Sequence, residues 1–193
     1  MHPASVDALL EEEDFEHEER LPYWAELWPS SVALARHLAR RDLAGLRVVE
    51  LGCGVGLPSV VALDHGAKIL ATDHNAAALD FAAHNARANT GREPETSRLD
   101  WFAPELDGLG TFDLVFAADV LYERRNTGAL AGLVPGLLAP DGEFILADPR
   151  RPPAPEFLDA MKKRGFGIST EGANVEQDGR KVRVHLYRLR PKK

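Results

Sequence analysis

The stretch LRVVELGCGVGLPSVVALDHG, residues 46–66, restricts the fold more than any other part of the chain. A β-branched run passes into three glycines at alternate positions, and a helix-forming run follows that closes at Gly66. A strand that turns sharply into a helix is half of a parallel βα unit. The unit recurs. KILATD precedes the helical NAAALDFAAHNARAN, TSRLDW is a short strand, and the near-continuous apolar run FDLVFAADV precedes TGALAGLVPGLL, a helix expected to break near Pro135. DGEFILAD then precedes the helical PEFLDAMKKRG. Upstream, LPYWAELWPSSVALARHLARR carries a helix start at Pro29 with Ser30 or Ser31, and Val32, Leu34, Ala35 and Leu38 form an apolar stripe suited to covering a sheet. At the far end GFGISTEGANVE and KVRVHLYRLR alternate around QDGR, a strong hairpin signal. The expectation is an α/β fold, a Rossmann-like doubly wound sheet that is mostly parallel and ends in an antiparallel C-terminal hairpin.

A chain of 193 residues suits one domain, expected over residues 21–193, behind an acidic N-terminal extension at 1–20. Within that extension Glu11 to Glu19 is mostly carboxylate and reads as a solvated helix face or a tail. No apolar run approaches the ~20 residues of a membrane span, and the N-terminus lacks an oily signal core, so cytoplasmic residence is expected. One cysteine, Cys53, excludes an internal disulfide framework, and the seven histidines show no HExxH spacing, so no metal site is expected. The net charge of −7 argues against sequence-independent binding to nucleic acid. The basic run RKVRVHLYRLRPKK reads as the solvated face of a strand, and a compact monomer is expected.

Ligands bind such sheets beyond the carboxyl ends of the strands. There Gly52, Gly54 and Gly56 permit a tight turn and a close backbone approach, with a helix N-terminus behind them. Glu50, just before the loop, would repel a pyrophosphate and suits a ligand carrying an ammonium and a sulfonium, which points to S-adenosylmethionine. Asp73, about twenty residues beyond the loop, is placed to accept from ribose hydroxyls. Asp100 could take a bond from the adenine amino group, with Trp101 against the ring. Each acid could instead be a helix cap or surface charge.

VVELGCGVGLPS, TDHN, LDW and DVLYE, in this order and spacing, resemble the seven-β-strand S-adenosylmethionine-dependent methyltransferases. More narrowly, Asp119, Val120, Leu121 and Tyr122, with the upstream PYWAELWPSSVALARHL, resemble the lysine-methyltransferase branch that includes the enzymes acting on the β subunit of electron transfer flavoprotein. The resemblance runs from Pro22 to Arg190. It implies a seven-stranded sheet, S-adenosyl-L-methionine as cofactor with S-adenosyl-L-homocysteine as product, and methyl transfer to a lysine side chain of a protein substrate. The same cofactor half would also serve an N-methyltransferase of a small-molecule amine or other metabolite. Asp119 and Tyr122 are the candidate catalytic residues. Asp119 is expected to attract and orient the amine, and Trp28 to wall the cofactor pocket.

A lysine nucleophile must be neutral, and taking a pKa near ~10.4 down to pH 7 costs about 4 to 5 kcal/mol. An aromatic cleft of Tyr23, Trp24, Trp28 and Tyr122 would offset part of that by desolvation. Substrate contacts particular to this chain are expected in the loop ADPRRPP, where Arg150 and Arg151 read either as a solvated pair or as contacts to an acidic partner.

Overall fold

The computed structural model describes residues 23–177 and 179–192, and the acidic extension lies outside them. Seven strands form one sheet in the order β3-β2-β1-β4-β5-β7-β6. The strands are β1 Arg47–Leu51, β2 Lys68–Asp73, β3 Glu95–Arg98, β4 Phe112–Ala118, β5 Leu138–Asp148, β6 Phe166–Gln177 and β7 Arg180–Pro191. The first five pair in parallel, whereas β7 runs antiparallel to both β5 and β6. The helices are α1 Pro29–Leu38, α2 Leu57–Asp64, α3 Ala76–Thr90, α4 Arg124–Leu137 and α5 Ala154–Lys163, behind a short 3-10 turn at Tyr23–Ala25.

Alternation along the central strands divides the core in two, since neighbouring side chains of a strand point to opposite faces. Val48, Leu114, Phe116 and Ile145 bury one face with Leu34 and Leu38 of α1 and Ala62 of α2. Val49, Val115, Ala117, Phe144 and Leu146 bury the other with Leu130 and Val134 of α4 and Phe157 and Met161 of α5. Burial on both faces accounts for the unbroken apolar run of β4.

Two local expectations are corrected. Helix α4 is not broken at Pro135 but contains it. The proline stands two residues before the end at Leu137, so it forfeits the one helical bond to Ala131 O but has almost no helix after it to disrupt before the chain enters β5. The third strand stops at Arg98, so Leu99, Asp100 and Trp101 of TSRLDW lie beyond it. Leu99 N–H still donates to Asp73 O at 3.0 Å, which carries the backbone past the end of β2.

The order reverses between β1 and β4, which are adjacent although β2 and β3 separate them in sequence. Strands that diverge in this way leave a crevice at their carboxyl ends. The register places Leu51 beside Thr72 and Ala117, and Ala118 beside Ala147. The loops after β1, β2, β4 and β5 therefore open on one edge of the sheet.

Candidate active site

The glycine loop follows β1 and opens α2 at Leu57. Gly52, Gly54 and Gly56 all have left-handed φ, at 71°, 51° and 81°. A Cβ on Gly54 would stand 2.8 Å from the Trp24 carbonyl oxygen, and one on Gly56 would stand 2.7 Å from Ala82 Cβ. One on Gly52 would meet the Trp101 ring at 3.1 Å. Each glycine thus admits a neighbour that a side chain would exclude.

The acids around this loop do different things. Glu50 is 1% exposed and lies against α2, with Ser59 Oγ donating to its Oε2 at 2.5 Å. Burial pushes its carboxyl up to about 8, against the pull of the Ser59 hydrogen bonds and with help from the Asp73 charge. Asp73 is buried too: its Oδ2 accepts from Gly54 N–H and its Oδ1 from Asn75 N–H, each at 3.0 Å, which ties the end of β2 to the loop. Asp100 is exposed, and its Oδ1 accepts from Phe102 N–H at 2.8 Å. Trp101 beside it packs its ring on Gly52, and its Nε1 is buried with no hydrogen-bond partner among the described residues. Cys53 is buried in the loop, and burial raises its thiol well above the ordinary range, the setting of an inert packing residue.

Across the crevice, Asp119 follows β4 with φ 60°, a left-handed value that a non-glycine residue adopts rarely. Its N–H donates to Ala147 O at 2.9 Å. Its buried carboxylate is held from two sides: Ser30 Oγ, in the first turn of α1, donates to Oδ2 at 3.0 Å, and Arg151 Nε donates to Oδ1 at 2.7 Å. Arg151 also lies over the Trp28 ring, its guanidinium carbon 5.6 Å from the centroid. Trp28 Nε1 donates to Tyr23 O at 2.9 Å, and the Tyr23 ring stands 6.4 Å from Trp28 and 6.3 Å from Tyr122. Tyr122 is largely exposed. Trp24 turns away from this group and packs on Phe81 of α3 at 5.4 Å.

The structure therefore forms two halves. Glu50, Gly52, Gly54, Gly56, Asp73 and Trp101 surround the glycine loop, with Asp100 at its rim. Trp28, Asp119 and Tyr122 gather opposite, joined by Tyr23, Ser30 and Arg151. The sequence marked Ser30 only as a helix start and Arg151 as one of an arginine pair. Asp148 was not singled out at all, yet it ends β5 fully buried, its Oδ1 accepting from Arg151 N–H at 2.7 Å and its Oδ2 unpartnered among the described residues.

A crevice at the β1/β4 switch point, with Asp73 tied to the glycine loop, Asp100 at its rim and an unpartnered indole N–H, fits a ligand bearing an adenosine. Fold and site together define an S-adenosyl-L-methionine-dependent methyltransferase. The magnesium protoporphyrin IX methyltransferase of Synechocystis, crystallised with S-adenosylmethionine bound, superposes with a TM-score of 0.65 at 21% identity, over 89% of this chain and 81% of that one. The lysine methyltransferase family matches residues 14–164, and the chain belongs to that family. Protein N-lysine methyltransferase METTL21A of Danio rerio is 32% identical over 177 residues, which cover 88% of this chain and 78% of the relative. Histone-arginine methyltransferase METTL23 of Mus musculus is 26% identical over 170 residues, 85% of this chain and 63% of its own length. No helix among the described residues is long and apolar enough to cross a membrane.

Proposed function

We propose that the protein methylates a lysine side chain of a protein substrate, with Asp119 as the residue that receives the acceptor amine. The observation that carries this reading is a buried carboxylate linked through the Arg151 guanidinium to the Trp28 ring, which stands in one aromatic group with Tyr23 and Tyr122. A carboxylate and an indole face together hold a cation. Family membership and METTL21A favour lysine as that cation.

S-adenosylmethionine supplies the electrophilic methyl group. Gly52, Gly54 and Gly56 would hold it through their backbone, Asp73 and Asp100 through hydrogen bonds to the adenosine, and Trp101 through its ring and free Nε1–H. Glu50 would act from beneath the loop, by shaping the turn through Ser59. Asp119 orients the amine, and because a carboxylate favours the ammonium form, the loss of the proton falls to desolvation by the rings. Tyr122 closes the open side. The reading also places the protein in the cytoplasm as a monomer that does not bind nucleic acid, supported by its single cysteine and net charge of −7.

The test is incubation with methyl-labelled S-adenosylmethionine and a cell lysate, followed by hydrolysis of the labelled protein. Methyl-lysine that falls about a hundredfold with Asp119→Asn is the expected result. Asparagine is the appropriate replacement because it tolerates the left-handed backbone at this position. Label confined to small molecules would move the function to metabolite amines, and methyl-arginine would move it to a different acceptor side chain.

A further inference from the structure

The loop after β5 is bent back on itself. Asp148 Oδ1 accepts from Arg151 N–H at 2.7 Å, and between them Arg150 takes φ 69°, a left-handed conformation unfavourable for a residue with a side chain. The bend returns Arg151 over the sheet edge to Asp119 and Trp28. A cationic side chain of the protein itself thus touches the same carboxylate and the same indole that receive the acceptor amine.

We propose that the Arg151 guanidinium occupies the acceptor's seat in the resting enzyme, and that an acceptor lysine enters by displacing it, which excludes small free amines and admits protein acceptors. This rests on the reading of Asp119 and the aromatic rings as the acceptor site. An arginine suits the role because its guanidinium holds its proton far more firmly than an ammonium and is the poorer nucleophile, whereas a lysine in the same place would be consumed. The Arg151 side chain is 33% exposed and the Asp119 side chain 4%. Arg151 can therefore swing into water without leaving a buried cation, while Asp119 requires a replacement. A tethered competitor acts at an effective concentration in the millimolar range, as for short flexible links, which a lone alkylammonium does not overcome. A protein acceptor has further contacts with which to do so.

The first arm of the test uses no methyl donor. Binding of n-butylammonium, a mimic of the lysine side chain, is measured by calorimetry on the full chain, with folding checked by thermal melting. Arg151→Ala and Arg151→Met are each expected to bind it at least tenfold more tightly than the wild type, and adding Asp119→Asn is expected to abolish the gain. The methionine variant keeps an unbranched apolar stem against Trp28, which covers the case where alanine unfolds the loop. Equal affinities in folded proteins would overturn the proposal.

The second arm places a lysine in the seat. The Arg151→Lys variant, given S-adenosylmethionine, is expected to become methylated at residue 151 at least tenfold faster than at any native lysine of the chain. The amine first sheds a proton to water. An N–C bond then forms as the C–S bond breaks with its electron pair going to sulfur, so one proton is released per methyl added. A variant that methylates a lysate protein while residue 151 stays bare would overturn the proposal, as would methyl groups on Arg151 of the wild type. Failure of wild type and variant alike to label any protein would instead sink the lysine reading, and the butylammonium arm would still decide whether Arg151 fills the seat.

Discussion

The Ser30 hydroxyl donates to Asp119 Oδ2 at 3.0 Å and joins the first turn of α1 to the end of β4 across 89 positions of sequence. Both residues are buried, so Ser30→Ala would leave a carboxylate oxygen without its donor. The expected loss of stability is about 1–3 kcal/mol. Denaturant unfolding of the variant measures it, with Ser30→Thr as the control that keeps the hydroxyl. An unchanged midpoint would mean that water takes over the bond.

Glu50 gives stability a pH dependence of definite sign. Its carboxyl titrates near 8 in the folded protein, against an ordinary 4.5. Below 4.5 both the folded and the unfolded chain hold the proton. Between the two values only the folded chain does, so this contribution to stability falls as pH rises, by up to about 1.4 kcal/mol per unit, and levels off above 8. Thermal melts from pH 5 to 9 should show wild type losing stability relative to Glu50→Gln across that window. Parallel curves for the two proteins would rule out the assignment.

Gly56→Ala tests whether the loop glycines serve the protein as well as the ligand. The new methyl group would lie 2.7 Å from Ala82 Cβ and 2.9 Å from Ala82 Cα, on a backbone at φ 81°. Left-handed strain of about 1–2 kcal/mol adds to an overpacking cost of about 1–3 kcal/mol. The variant should melt well below wild type with no cofactor in the buffer.

Glu143, on β5, joins three segments of chain through charge, the other two being the turn after α1 and strand β7. Arg41 donates to its Oε2 at 2.7 Å, and Arg188 and Arg190 reach its Oε1 at 2.9 and 3.1 Å. Burial alone would raise this carboxyl, but Arg41 and Arg188 outweigh it and hold it below its ordinary value. Replacement by glutamine leaves three guanidinium groups facing one another. The arginines keep access to water, so the expected loss is about 2 kcal/mol, below the ~3–5 kcal/mol of a broken fully buried pair. Because like charges repel less in salt, added sodium chloride should recover part of that loss in urea titrations.

Most of the architecture was legible because it rests on local periodicity. The β-branched run before Gly52, the helix closing at Gly66 and the hairpin around Gly179 each declare themselves within about ten residues. What could not be read is which side chains turn toward one another after the strands end. Asp119 and Arg150 both adopt left-handed φ without being glycine, and these two backbone angles aim the Asp119 carboxylate and the Arg151 guanidinium at each other. No composition signal marks such a residue. The same limit applies to Glu50: its place before the glycine loop suggested a charge facing a ligand, while its direction toward Ser59 depends on the packing of α2 against β1. Pro135 shows the converse, a breaker by type that costs one hydrogen bond yet leaves the helix whole because it stands two residues from the end.

Strand β7 lies between β5 and β6, so the sheet is not assembled in the order in which the strands leave the ribosome. Until β7 has been synthesised, the edge of β5 carrying Phe144, Ile145 and Leu146 has no hydrogen-bonded neighbour on that side, and β6 has nothing to attach to. A nascent chain stalled before Arg180 therefore presents an open apolar edge of the kind that chaperones capture and that seeds aggregation.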